Sequence, residues 1–238
     1  MVNHGFFRKP VAVPASGYGR ARLHASHPVV RALSSAYVSQ FNEAACSVAS
    51  VATILNAGKS LLQGDRSQGN PITQQEILRN VDAADWSERV SPQGHRNRRG
   101  MPLDYLEAAV ERALAVYDIP CASIVTVPLF DRAKSRNALK RELFERLAYC
   151  IRNSNCFLLA HFNQGVFLKG LHLPHISPVG DVDIEQRMVC ILDVDPDVKE
   201  PYWISFDTFW KGVAWNYNGV IQRHGYQGGG YIWIKLKQ

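Results

Sequence analysis

The chain has 238 residues, 46% of them hydrophobic and 20% charged, with 27 Lys and Arg against 21 Asp and Glu for a formal net charge of +6. That length suits one large domain or two small lobes, and a chain this long buries roughly 70% of its unfolded surface. No run of about 20 apolar residues exists to cross a membrane, and the N-terminal stretch lacks the continuous apolar segment of a signal peptide.

The first acidic residue is Glu43, so Arg8, Lys9, Arg20, Arg22 and Arg31 precede any negative charge. A second basic cluster is His95-Arg96-Asn97-Arg98-Arg99. Neither is interleaved with aromatics as a base-stacking surface would be, so both read as solvated surface and no nucleic-acid partner is expected. Five cysteines without a CxxC pair do not make a disulfide framework and suit a reducing cytoplasm. Cys150 and Cys156 read as core residues, and no cysteine pair has zinc-ligand spacing.

Residues 1–30 are rich in Pro, Gly and His without periodicity and read as an extended arm, followed by a single domain over 31–238. Cys46 to Gly58 is apolar or small throughout and predicts a buried helix with Gly58 as its stop. Residues 60–71 read as polar loop. Thr73-Gln74-Gln75-Glu76 has capping-box form and predicts a helix to about Val81. Residues 91–100 read as a basic loop, and Met101 to Val116 has helical spacing. Ser123 to Val127 predicts a short strand, and Lys134 to Ile151 an amphipathic helix. Strands then dominate: Asn155 to Phe162, Ile176 to Val182, Arg187 to Val194, Tyr202 to Ser205 and Gly230 to Lys237, with a short helix over Asp207 to Val213. Helices first and a mostly antiparallel sheet second is an α+β pattern, with a helical lobe over about 42–152 and a sheet lobe over 153–238.

Two separated segments carry chemistry. Gln40, Asn42 and Cys46 lead into the first helix; His175 opens a strand, and Asp193 follows 18 residues later. A thiol at a helix start meets unpaired backbone N–H groups and the helix dipole, which favour a thiolate. An imidazole beside it would act as base. Asp193 closes the apolar run Met188 to Leu192, where a carboxylate either forms a turn or orients a buried imidazole. A hairpin centred near residue 184 would set His175 and Asp193 face to face on neighbouring strands. Gln40 can donate its amide N–H to an oxyanion beside the Cys46 N–H, and Asn42 reads as a turn or cap residue. Taken alone, Cys46 also reads as a buried structural cysteine. His161 and His172 compete with His175 as partners of the thiol. His172 and His175, three residues apart, also suggest a metal pair, but no third ligand is evident.

The combination resembles the phytochelatin synthase family, in particular its short bacterial members, from about residue 34 to 236. The family's Q-x-N-x-A-x-C-x-V-A-S motif stands here as Gln40 to Ser50. Its R-G-M element is Arg99-Gly100-Met101, its H-[IW]-S-P segment His175 to Pro178, and its I-L-D-V Ile191 to Val194. Trp203 and Asp207 to Lys211 also follow family form. The resemblance implies a papain-like cysteine enzyme, and the cysteine usage a cytoplasmic one. Cys46 would be the nucleophile, His175 the general base and then acid, Asp193 the orienting group and Gln40 an oxyanion donor. It implies cleavage of the Cys–Gly bond of glutathione, with the γ-Glu-Cys acyl group held as a thioester and passed to water or to another glutathione.

Arg99, Gly100 and Met101 are expected to bind substrate. Ser47 and Pro174 replace family glycines, and Asp195-Pro196-Asp197 replaces a basic and aromatic stretch. Gly229-Gly230-Tyr231 replaces an Arg-Gly-Phe segment, so Arg223 is the candidate substitute for the lost arginine. The expected partner is glutathione or a related γ-glutamyl peptide, with no required cofactor and no protein-bound metal. A heavy-metal ion would enter as a glutathione thiolate, in keeping with heavy-metal detoxification. Oligomeric state stays open, a homodimer being one reading. The alternatives are a papain-like peptidase or amidase acting on another peptide, and a non-catalytic thiol or heavy-metal-binding protein.

Overall fold

The helix that begins at Cys46 is buried on nearly every face as far as Gly58, so the rest of the chain is wrapped around it. The computed structural model describes residues 12–17, 24–63, 70–130, 135–170, 172–217 and 219–237. In chain order, strand β1 (Val13–Pro14) is followed by a 3-10 turn (Ala15–Gly17). Helix α1 (Pro28–Ala36) then buries Val29, Val30, Ala32 and Leu33. The arm expected over 1–30 is therefore not uniformly extended. Pro28 reads as a breaker, yet at the first helical position its missing N–H costs nothing and its fixed φ starts the turn. The remainder of that arm, 1–11 and 18–23, lies outside the described residues.

Helix α2 runs Cys46–Gln63 and passes through Gly58 without stopping, because Gly58 packs against Ile119 in the core. The expected loop over 60–71 thus starts late, and its residues 64–69 lie outside the described residues. Helix α3 (Gln74–Asn80) has the capping box: Thr73 Oγ1 accepts from the Glu76 N–H, and the Glu76 carboxylate accepts from the Thr73 N–H at 2.8 Å. Helices α4 (Trp86–Arg89) and α5 (Leu103–Val116) follow, then strand β2 (Cys121–Pro128) and helix α6 (Arg136–Arg152). Lys134, the expected start of α6, is outside the described residues.

The second half supplies β3 (Cys156–Asn163), α7 (Gln164–Leu168), β4 (Pro174–Asp183), β5 (Met188–Ile191) and β6 (Tyr202–Ser205). It ends with α8 (Phe206–Val213), α9 (Gly219–Gln222) and β7 (Gly230–Leu236). The strands form one antiparallel sheet in the order β1-β6-β5-β4-β3-β7-β2, so the architecture is α+β. Central β3 is buried along its whole length. Phe157 and Leu159 point into a core shared with α2 and α5, while Leu158, Ala160 and Phe162 point into a second core shared with α6 and α8. A strand covered on both faces reads as a continuous apolar run, as this one does. Because β2 comes from the first half and pairs with β7, the expected helical and sheet lobes share one sheet.

Two expectations are corrected. Cys150 and Cys156 are joined in a disulfide rather than being free core thiols. The turn between α6 and β3 brings their Cα atoms to 5.3 Å, within bridging range. The hairpin register also differs. Asp183 pairs with Met188 and Val182 with Val189, then a bulge at Gly180 shifts the ladder so that Val179 pairs with Ile191. Continuing that register sets Asp193 opposite Ser177, not His175. The turn is centred between Glu185 and Gln186 rather than near 184, which alone would set Asp193 opposite Pro178, and the bulged residue takes one position back. Among the described residues no helix is long and apolar enough to cross a membrane.

A Cβ at Gly180 would stand 2.6 Å from Leu192 Cγ. Gly180→Val is therefore expected to destabilise the fold by about 1–3 kcal/mol through overpacking, read as a lower urea midpoint at unchanged slope. A midpoint equal to wild type would show that the bulge tolerates a side chain.

Candidate active site

The turn before α2 is built by Asn42. Its Oδ1 accepts from the Ala44 N–H at 2.8 Å, and its Nδ2 donates to the Val90 carbonyl at 2.9 Å. This fixes the first residue of α2, so Cys46 projects from a helix start with only slight exposure. Ser47, directly after the thiol, accepts the indole N–H of Trp86 at 2.9 Å. Ser50 donates to the Ile176 carbonyl at 2.9 Å, which ties α2 to β4 one residue from His175. The hydroxyls that depart from small apolar neighbours are thus used to lock the helix in place.

His175, at the start of β4, lies within hydrogen-bonding reach of the Cys46 thiol, and its Nε2 meets Asp193 Oδ1 at 2.6 Å. Asp193 follows the end of β5, two positions off the directly opposed register, a diagonal that an imidazole spans. Its carboxylate is fully enclosed. Oδ1 also accepts from the Asp195 N–H at 3.0 Å, and Oδ2 accepts from the Tyr202 hydroxyl at 2.8 Å. The Tyr37 hydroxyl donates to the Asp193 carbonyl at 2.7 Å. Phe162 presents its ring edge-on to His175, with centroids 5.4 Å apart.

Burial alone works against a charged imidazole at His175, but the Asp193 carboxylate and then Cys46 outweigh it, and the group is pushed up to about 10. For Asp193, burial works against the carboxylate, while His175, the Asp195 N–H and Tyr202 hold the carboxyl below its usual range. The charges favoured by these neighbours are a carboxylate at Asp193 and an imidazolium at His175, with the thiol within reach of the same ring.

Cys46 and His175 line a cleft of about 660 Å³ together with Gln40, Phe41, Glu43, Arg99, Gly100, Gln164, Asp195, Asp197 and Tyr226, while Asp193 is not among the lining residues. Gln40 is anchored through its N–H to the Val194 carbonyl at 2.8 Å, and its side-chain Oε1 is enclosed without a partner among the described residues. A flip of that amide presents its N–H instead. Arg99 lines the cleft with its Nη1 3.5 Å from Glu43 Oε2. Gly100 has φ +82 and faces the Tyr226 hydroxyl at a distance that leaves no room for a Cβ. Met101 does not line the cleft: its side chain is fully buried in the α2–α5 core, next to the glycine that does. Arg223 is exposed and outside the lining, whereas its neighbours Ile221 and His224 reach it.

The competing histidines are placed elsewhere. His172 meets Asn163 Oδ1 at 3.1 Å and stacks on Trp215. His161 is fully buried against Tyr226; burial, and then His175, push it down to about 3, which keeps it neutral. Neither ring nitrogen of His161 has a partner among the described residues. Among those residues no group of three His, Cys, Asp or Glu side chains could hold a metal ion. Tyr202, Tyr37, Tyr226 and Phe162 were not legible as site residues. None belongs to a motif, although Tyr37 lies three residues before Gln40 and Tyr202 directly before Trp203, and their only signals are ordinary strand and loop positions.

A family model described as phytochelatin synthase matches residues 18–226 of the chain. No curated protein matches it.

Two outcomes are expected. Tyr202→Phe leaves Asp193 Oδ2 buried without its donor, so stability should fall by about 1–3 kcal/mol in urea unfolding. Unchanged stability would mean that Oδ2 finds another donor. His175 is raised above its unfolded value of 6.5, so its stabilisation is fully present below that pH and lost as pH rises through about 10. Asp193 is lowered, so its contribution is present above 3.8 and lost as pH falls through its folded value. The urea-midpoint gap between wild type and His175→Gln should narrow between pH 6.5 and 10. A constant gap would contradict a resting imidazolium.

Proposed function

Because the chain belongs to the phytochelatin synthase family, a family of glutathione γ-glutamylcysteinyltransferases, we propose that it is a papain-like acyl-transfer enzyme with Cys46 as nucleophile. The observation that carries this reading is the buried His175 imidazole between the Cys46 thiol and the Asp193 carboxylate. Cys46 sulfur attacks the carbonyl of the Cys–Gly bond of glutathione. The oxyanion formed is met by the Cys46 backbone N–H and the Gln40 amide. His175 gives its proton to the glycine nitrogen as the C–N bond breaks, leaving γ-Glu-Cys on sulfur as a thioester. His175 then takes a proton from the incoming acceptor, whose oxygen or nitrogen displaces the sulfur. Asp193 orients the ring and offsets its charge throughout. In this reading a heavy-metal ion enters with the substrate, bound by glutathione thiolate.

Charge in the cleft favours water as the main acceptor. A second glutathione brings two carboxylates, while Arg99 is the one Arg or Lys in the cleft lining among the described residues, beside Glu43, Asp195 and Asp197. The same carboxylates support a second reading, a peptidase on γ-glutamyl or other peptides whose departing amine is neutral or cationic. Asp195 and Gln164, hydrogen-bonded at 2.9 Å, stand on the His175 side of the cleft, where the leaving nitrogen is protonated.

Purified protein incubated with glutathione should release glycine and γ-Glu-Cys, with longer oligomers a minor product by mass spectrometry. Oligomers in excess of γ-Glu-Cys would reverse the acceptor order. No product from glutathione, with turnover of an uncharged-amide analogue, would move the reading to the peptidase. Cys46→Ala should abolish the thioester mass adduct, and Asp193→Asn should lower kcat by about 100-fold or more. Unimpaired turnover by Cys46→Ala would sink the acyl-enzyme reading.

A further inference from the structure

Three arginines converge on a second pocket beside the catalytic cleft. It has a volume of about 370 Å³ and is lined by Asp85, Arg89, His95, Arg96, Arg98 and Tyr105, none of which lines the cleft. Arg89 is the informative member, because it is only 5% exposed. Its Nε donates to the Ala84 carbonyl at 2.9 Å, and the face of its guanidinium lies over the Tyr105 ring at 4.3 Å. These contacts fix the group and leave its Nη edge without a hydrogen-bond acceptor or a carboxylate among the described residues. A guanidinium held in place by these contacts, with its free edge lining the pocket, presents pre-oriented donors to an anion.

The other two guanidiniums are carried on a closed turn. His95 and Arg98 exchange both backbone hydrogen bonds, at 3.1 and 2.9 Å. Arg96 and Asn97 within the turn adopt left-handed φ values of 49 and 61. Arg96 and Arg98 have no ion-pair partner among the described residues. The nearby acids are turned to His95 instead: Asp85 Oδ2 lies 3.5 Å from its Nε2 and Glu88 Oε2 lies 2.8 Å from its Nδ1. Three forked cations therefore line the pocket with one carboxylate, Asp85, which is turned to His95. A carboxylate ligand occupies a single fork, whereas a phosphate dianion offers oxygens to several guanidiniums at once.

We propose that the Arg89–Arg96–Arg98 pocket binds the phosphate group of a small molecule at a site separate from the thiol chemistry. Its occupancy bears on the cleft through the backbone, because the Arg89 carbonyl accepts from the Gly100 N–H at 3.0 Å and the adjoining Val90 carbonyl accepts from Asn42. The proposal does not depend on what Cys46 acylates.

Thermal unfolding and calorimetry with inorganic phosphate test it on the intact chain. Phosphate at about 100 times its Kd should raise Tm by roughly 5 °C, alike in wild type and Cys46→Ala. Sodium chloride of equal ionic strength and acetate should not. The exposed double variant Arg96→Ala/Arg98→Ala should bind phosphate at least about tenfold more weakly, and Arg89→Lys, which keeps the charge but loses the fork, should weaken binding in the same direction. No shift in wild type, an equal shift with sodium chloride or acetate, or full binding by the double variant would overturn the proposal.

Discussion

A buried carboxylate with every oxygen engaged holds the Cys46 cleft together. Asp193 receives donors from three parts of the fold: His175 on β4, the Asp195 backbone, and Tyr202 on β6. Tyr37, just beyond α1, adds a bond to its carbonyl. Withdrawing a carboxylate from water costs several kcal/mol, and only a complete set of partners offsets that. The segments that supply those partners are thereby held against one another. Removing one donor does more than subtract a hydrogen bond, since it leaves part of a charge buried without a partner. The same enclosure keeps the His175 ring oriented and charged.

The thiol reaches that ring because α2 is positioned from several sides. Its N-terminal turn is anchored through Asn42, its first turn through Trp86 and Ser47, and its second through Ser50 and the Ile176 carbonyl. Tight burial of Ala49, Ala52, Leu55 and Ala57 leaves the helix little room to rotate. Behind the cleft, His161 is held neutral between Tyr226 and the sheet, so the second imidazole adds no charge to the pair in front of it. The cleft lining combines apolar and aromatic groups such as Phe41, Leu173 and Tyr226 with the charged Glu43, Asp195, Asp197 and Arg99.

Motifs and folded positions agree unevenly. Thr73 to Glu76 forms the capping box that its spacing predicts, because capping is local. Tyr202 to Ser205 is a strand with the expected bounds. The pairing of His175 with Asp193 is also met, but by a route that hairpin symmetry does not give. The Gly180 bulge shifts the ladder, and the contact is diagonal. Met101 and Arg223 fail as lining residues for different reasons. Met101 alternates inward from Gly100 into the core, and Arg223 sits on the solvent side of a turn whose neighbours face the cleft. Cys150 and Cys156 carried no pairing signature, because a disulfide depends on how α6 meets β3.

The sequence by itself determined the longer helices and most of the sheet strands, but not α1, α4, α7, α9 or β1, together with the thiol, imidazole and carboxylate motifs and their family form. Those follow from periodicity, capping and spacing, which act over a few residues. Tertiary structure alone decided which hydroxyls enclose Asp193, which histidine meets the thiol, and which arginines lack partners. Each depends on segments far apart in the chain meeting at ångström separations. A turn centred between Glu185 and Gln186, with one bulged residue, moves such a meeting by two positions without changing any local pattern. That is why the thiol, imidazole and carboxylate were legible, and the shell that keeps them charged and aligned was not.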